Sequence, residues 1–217
     1  MNLEKKFSPP QEREQKSKIV IRRSSEAPQE VKENPFYDPE FWGAAYSLEN
    51  IYLPDSDEAI SFSIAAHEIG HLVDEGVGDD ARLDNFEATR TEEQRAWDVG
   101  WTYLQKYLSE YYEDRPEIVS KIQRAFVRIK DVLMKATDLG KDMYLESGSL
   151  DELNDDEVDQ ILKEKRESFF SEKGTEFVKL FEEMKKEKIG VVPDWDKFIT
   201  VVKKAIEDVI KDNEKMG

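Results

Sequence analysis

Cysteine is absent from this 217-residue chain. That excludes disulfides, thiolate metal ligands and a cysteine nucleophile together. Long apolar runs are missing too. The opening stretch MNLEKKFSPPQEREQKSK (1–18) has no hydrophobic segment of the signal type, and no run elsewhere approaches membrane-spanning length. A soluble, cytoplasmic protein with no membrane partner is therefore expected. Positive charge is in deficit: 32 Lys and Arg stand against 49 Asp and Glu, for a formal net charge of −17. Such a surface repels a phosphate backbone, which argues against a nucleic-acid partner. Histidine is scarcer still, with two in the whole chain.

Charged residues make up 37% of the chain and mean hydropathy is −0.73, while aromatics at 11%, four of them Trp, still supply bulk for a modest core. The composition fits a folded part joined to a solvated one. Residues 1–34 are rich in Lys, Glu, Gln, Ser and Pro and read as a mobile polar tail, within which only KIVI (18–21) has strand character. From residue 35 aromatics appear between Pro and Gly, and NIYLP (50–54) reads as a short strand closed by Pro54. The stretch DSDEAISFSIAAHEIGHLVDEG (55–76) reads as a helix, with Asp55 or Ser56 as cap and Gly76 beyond its end. Its middle is apolar almost all round, which predicts a buried central helix.

A polar connection is expected over 77–90. TEEQ (91–94) has the form of a capping box, with Thr91 as N-cap and Gln94 reaching back, opening a helix that runs to the stop at Asp114–Arg115–Pro116. Residues 114–217 then read as a helical region. It contains an amphipathic helix over 116–140, an acidic turn region at 146–157 and two or three further helices.

The two histidines, His67 and His71, lie four residues apart on the buried helix, with Glu68 directly after the first. Positions i and i+4 share a face one turn apart, so both imidazoles can reach one ion. Glu68 is turned about 100° from His67 around the helix. It can stand beside an ion without ligating it, where it can take a proton from a water activated there. His-Glu-x-x-His is thus two zinc ligands and a general base, and arises by chance in such a chain on the order of once in a thousand.

With no cysteine and no third histidine, the remaining protein ligand has to be a carboxylate. Helical phase places Glu93 in line with Ala96, Trp97, Gly100, Trp101, Leu104 and Leu108, the stripe expected to face the core. A carboxylate there calls for a cation nearby. Gly100 and Ala96 on the same stripe would let this helix approach the histidine helix closely. Glu92 shares its line with Arg95, Val99, Tyr103 and Lys106, a mixed and mostly outward face, and is the alternative ligand. Asp74, one turn beyond His71, is a candidate to accept that ring's second N–H, although an acid at a helix end is as readily just solvated. Tyr103, Tyr107, Tyr111 and Arg95 are open candidates for stabilising an oxyanion. Trp97 and Trp101 read as core.

HEIGH followed by a helix bearing Glu93-Gln94-Arg95-Ala96 resembles the zincin metallopeptidases of the gluzincin type, and its short span is similar to the minimal zincin-like domains of the ImmA/IrrE type. The resemblance covers residues 36–112. It implies an α+β, mostly α fold, in which a short sheet packs on an active-site helix within residues 35–113 and a helical region follows. It also implies one Zn²⁺ held by His67, His71 and Glu93, and a peptide or protein substrate. The larger gluzincins carry an Asp four residues after the ligand Glu; here that position is Trp97 and Asp98 follows it. The expected activity is zinc-dependent peptide hydrolysis with Glu68 as base. The rival expectation is a non-catalytic interaction protein with a structural zinc site and a protein partner on residues 114–217.

Overall fold

In the computed structural model the described residues are 18–33, 37–73, 85–143 and 155–216. Strand β1 (Ile21–Arg23) is followed by a 3-10 turn at Ser24–Glu26 and the one-turn helix α1 (Gln29–Lys32). The hairpin β2 (Ala44–Ser47) and β3 (Asn50–Leu53) comes next. Five longer helices complete the chain: α2 (Glu58–His71), α3 (Phe86–Tyr111), α4 (Pro116–Leu139), α5 (Asp155–Lys185) and α6 (Trp195–Met216). The fold is α+β and mostly α. None of the described helices is long and apolar enough to cross a membrane.

The sheet has the order β1-β3-β2. β1 runs parallel to β3, with Ile21 opposite Ile51 and Arg23 opposite Leu53. β2 runs antiparallel to β3, and its register slips between Ala45, opposite Ile51, and Ser47, opposite Asn50. Tyr46 is therefore the extra residue of a β-bulge, which bends a strand and re-aims its side chain.

Residues 18–33 depart from the expected polar tail. Val20 N donates to the Leu48 carbonyl and the Val20 carbonyl accepts from Ile51 N, which ties them to the hairpin. Arg23 pairs with Asp55, and its guanidinium lies 4.4 Å from the centre of the Trp195 ring. Paired backbone and stacked cations supply what the sparse apolar content of this stretch does not.

α2 is the hub of the molecule. Ile60, Phe62, Ala65 and Ala66 are fully buried, Ile64 and Ile69 nearly so, and α3, α4, α6 and the hairpin all pack on it. Its cap is Asp57 rather than Asp55 or Ser56, because Asp55 is engaged by Arg23 and Ser56 by the Glu40 carbonyl. The Asp57 carboxylate accepts from Ala59 N at 2.9 Å, and also from Ile189 N, Gly190 N and Val191 N at 3.0, 2.6 and 3.2 Å. Glu58 N donates back to the Val191 carbonyl at 2.6 Å. The turn between α5 and α6 is thereby fastened to the first turn of α2. Gly190 has φ +79°, a left-handed conformation suited to glycine. Glu58, 2% exposed, is buried beside Tyr112.

α3 starts earlier than the Thr91–Gln94 box predicts. Asn85 caps it by accepting from Ala88 N at 3.1 Å, and Thr91 lies inside the helix with its hydroxyl bonded to the Glu87 carbonyl. The intervening residues favour helix, so the stronger upstream cap wins and Gln94 turns instead to Asp98. Gly76 lies outside the described residues. α4 opens on Pro116 at its first turn, as expected of a residue with no N–H to lose. The apolar faces of α4 and α6 close one continuous core with α2 and α3, running from Phe41 to Val209.

Candidate metal centre

α2 and α3 cross where small residues meet. A Cβ on Gly70 would overlap the Ala96 carbonyl, and one on Gly100 would overlap the Ala66 carbonyl. This contact brings the first turns of α3 against the last turns of α2. There the Nε2 atoms of His67 and His71 face each other at 3.1 Å. Glu93 Oε2 lies 3.2 Å from His67 Nε2, and Oε1 lies 3.7 Å from His71 Nε2. One ligand atom from each of the three residues falls within 4.8 Å of the other two.

These spacings fit a cation. Ligand atoms about 2.05 Å from a tetrahedral zinc stand about 3.3 Å apart, close to the 3.1 Å between the two Nε2 atoms and the 3.2 Å from His67 to Glu93 Oε2. The 3.7 Å from His71 is to the other carboxylate oxygen. Two nitrogen lone pairs and a carboxylate converging on one point leave at most one shared proton to reconcile them, whereas one divalent ion satisfies all three. The donor set, two nitrogens and one oxygen with no sulfur, also suits zinc among common metals. Burial works to lower the His67 pKa, but the bond to Glu93 and the charges of Glu68, Glu93 and Glu92 outweigh it and hold the value above that of an ordinary histidine. The pocket favours positive charge.

Glu92 departs from its expected outward face. Its side chain is 11% exposed against 24% for Glu93, and its Oε1 lies 3.5 Å from His71 Nδ1. Because α3 begins before residue 91, positions 92 and 93 both lie on the turn that crosses the end of α2. One acid meets the inner nitrogens while the other meets the outer edge of His71. Glu92 thus stands within ion-pair range of His71 on the side proposed for Asp74, which lies outside the described residues.

Trp97 stands where an Asp would support the first histidine in larger gluzincins. Its ring stacks on His67, with centroids 4.3 Å apart and planes 23° apart. His67 Nδ1 is buried with no hydrogen-bond partner among the described residues. Asp98 points away to Lys130 Nζ at 2.5 Å and Gln94 Nε2 at 2.8 Å. Face-to-face packing therefore does for His67 what an acceptor does elsewhere: it fixes the plane of the ring. Trp101 is core, stacked on Phe126.

The oxyanion candidates on α3 are not brought to the site. The Tyr103 hydroxyl bonds to Asp212 at 3.1 Å and that of Tyr107 to Asp208 at 2.7 Å, both towards α6. The bond to Asp208, then burial, push the Tyr107 phenol up to about 12. Tyr111 packs on Phe62 and Tyr112. Arg95 is half-buried and does not line the cleft described next.

Glu68, 7% exposed, opens onto a cleft of about 340 Å³ together with His67, Glu93 and Trp97. Its remaining walls come from Asp38 to Gly43 before β2, from Leu133, Ala136 and Thr137 of α4, and from Phe177 and Phe181 of α5. Motif reading passes over all of these. The one local signal is Gly43 within an aromatic run: a Cβ there would collide with Ile64 and stand 3.3 Å from Glu68 Cγ and Oε1. The far walls leave no such mark, since they arise from helices that meet the site only through tertiary packing. The site can hold a divalent cation beside a buried carboxylate base, with room for a substrate against apolar walls. No family model, no curated protein and no solved structure matches the chain.

Proposed function

We propose that this chain is a zinc-dependent metallopeptidase of the gluzincin type, acting in the cytoplasm on peptide or protein substrates. The observation that carries the reading is the convergence of His67 Nε2, His71 Nε2 and the Glu93 carboxylate at tetrahedral-edge spacings, with Glu68 beside them on an open cleft. A zinc ion held by His67, His71 and Glu93 would polarise the scissile carbonyl and acidify a water. Glu68 takes the proton of that water as its oxygen adds to the carbonyl carbon, then gives it to the departing amide nitrogen. Burial of Glu68 excludes bulk water from this transfer, and Gly43 lets the segment before β2 pack closely on Ile64 beside it. Glu92 holds His71 from outside and Trp97 holds His67 by its face. The C-terminal helices contribute cleft walls, which favours catalysis over a purely structural zinc site.

The decisive comparison is wild type against Glu68→Gln, with zinc measured per chain and cleavage assayed on unfolded casein and a quenched peptide library. Equal zinc with a loss of about 10²–10⁴-fold in rate supports the enzyme. Equal zinc with no cleavage by either favours the non-catalytic reading. Absence of zinc from both discards the metal site.

A further inference from the structure

Resting on the peptidase reading, the cleft also indicates which side chain a substrate must bring. Its lining has two chemistries. His67 and Glu68 of α2 and Glu93 of α3 supply the polar part, while Leu133 and Ala136 of α4 and Phe177 and Phe181 of α5 supply an apolar wall. These four residues lie beyond residues 36–112, the span that resembles a zincin domain. The wall is therefore a contribution of the helical region that follows.

Leu133 and Ala136 are three apart on α4, and Phe177 and Phe181 are four apart on α5, so each pair shares one face of its helix. All four are half-buried. The wall is held in place by its neighbours. Phe181 meets Phe41 edge to face, with centroids 6.1 Å apart and planes at 66°, and Phe177 meets Phe181 in the same way at 5.0 Å and 61°. Phe169 and Met184 bury α5 on either side of these rings, and Asp57 fastens the turn that follows it. Apolar surface left half-covered in a fixed hollow is stabilised when an apolar group covers it.

Size and charge narrow the choice. A dry cavity of about 150 Å³ is enough to take a benzene ring. The cleft, at about 340 Å³, can take a ring and still leave room for peptide backbone beside Glu68. Asp38, Glu68 and Glu93 line it, and no Lys or Arg does so among the described residues. An acidic side chain would enter an apolar hollow of like charge with no partner, which is strongly disfavoured. A ring can instead extend the edge-to-face row of Phe41, Phe181 and Phe177.

We propose that the α4–α5 wall is the side-chain pocket of this site, and that it selects substrates bearing a large apolar residue, aromatic above all, beside the scissile bond. Leu133, Ala136, Phe177 and Phe181 determine that specificity. Residues 114–217 thus choose the substrate for a site whose candidate metal ligands lie in residues 35–113.

The test uses the full zinc-loaded chain as wild type, Ala136→Phe, Phe181→Ala and Val178→Ala. Val178, 49% exposed on α5, does not line the cleft and serves as the control. Calorimetry gives affinities for acetohydroxamic, phenylacetohydroxamic and succinic monohydroxamic acids, which share one zinc-binding group and differ in carrying a methyl, a benzyl or a carboxyethyl substituent. Wild type should prefer the benzyl compound over the methyl one at least about tenfold and bind the acid most weakly. Ala136→Phe puts a ring of its own into the space and should cut that preference below about threefold, with acetohydroxamate affinity within about twofold of wild type. Phe181→Ala should cut it at least about threefold, and Val178→Ala should leave it unchanged. Should Ala136→Phe fail to fold, as judged by its melting curve, Phe181→Ala decides. A wild-type preference under about threefold, the same preference in the deciding variant, or an equal loss in Val178→Ala overturns the pocket. Selective hydroxamate binding by a wild type that cleaves nothing in the quenched peptide library sinks the peptidase reading and leaves the pocket standing. Cleavage with no preference for aromatic over small or acidic residues sinks the pocket alone, and failure to bind any hydroxamate sinks both.

Discussion

Replacing Gly100 by Ala should damage the fold and the candidate metal centre together. The new Cβ would overlap the Ala66 carbonyl oxygen and stand 2.7 Å from Gly70 N and 2.8 Å from Ala66 C. Non-bonded carbons rest about 3.5 Å apart, and every atom in the way is backbone, so no side-chain rotation relieves the overlap. α2 and α3 must separate by about 1 Å at their crossing. Overpacking of this kind costs about 1–3 kcal/mol, and a backbone clash belongs at the upper end. Alanine recovers about 1 kcal/mol of helix propensity over glycine, leaving a net loss of about 2 kcal/mol. The same separation carries Glu93 away from His67 and His71, so zinc affinity should fall at least about tenfold. Urea unfolding in chelator measures the first effect, and competition with a chromogenic chelator measures the second. Gly174→Ala in α5 is the control, since nothing lies within 4 Å of its Cβ; it should gain about 0.5–1 kcal/mol. Gly100→Ala with wild-type stability and wild-type zinc affinity would refute the close crossing as the element that sets the site.

Asp57→Ala removes the acceptor of four backbone N–H groups at a position 5% exposed. It should cost about 3 kcal/mol in urea unfolding; a loss under about 1 kcal/mol would mean water replaces the carboxylate. Burial, the leading cause, and Asp57 raise the Glu58 pKa while Tyr112 and Arg115 oppose them. The folded state therefore holds this proton more tightly than the unfolded chain, and the resulting stability, full below the ordinary value of 4.5, is lost as pH rises through that value to the folded one. Glu58→Gln should match wild type at low pH and exceed it at pH 7, and an equal pH profile for the two proteins would contradict this. Glu92→Gln should weaken zinc binding about tenfold or more while leaving the apo-protein's unfolding curve nearly unchanged, as chelator competition will show.

Much of the candidate metal centre is local and so can be read from spacing. His67, Glu68 and His71 lie within two turns of one helix, and the helical phase of Glu93 follows from the apolar stripe it shares with Ala96 and Leu104. Glu92 shows where this fails. Phase alone gives the angle of a residue around its own helix, but not how broad a sector the neighbouring helix covers. The apolar character of α2 is equally plain in the sequence, while the start of α3 is misplaced because Thr91 and Asn85 are both competent caps, and the stronger one lies upstream of the capping-box pattern. β1 shows in the sequence only through the end of KIVI; its two arginines are made acceptable by distant partners, the Glu49 carbonyl, Asn50 and the Tyr52 ring for Arg22 and Asp55 and Trp195 for Arg23. The cleft walls on α4 and α5 and the Asp57 clamp join residues about a hundred positions apart, and no window along the chain contains both sides.

The fastening of residues 189–191 to Asp57 has a consequence for synthesis. While the chain is still emerging from the ribosome, the helix carrying both imidazoles lacks the partners that complete its first turn, and the surface later covered by α6 stays bare. The cleft beside Glu68 reaches its finished form only after residues 189–191 and α6 have been made. Under the peptidase function proposed above, the order in which the parts arrive would keep the nascent chain from working on neighbouring unfolded polypeptides, its own included.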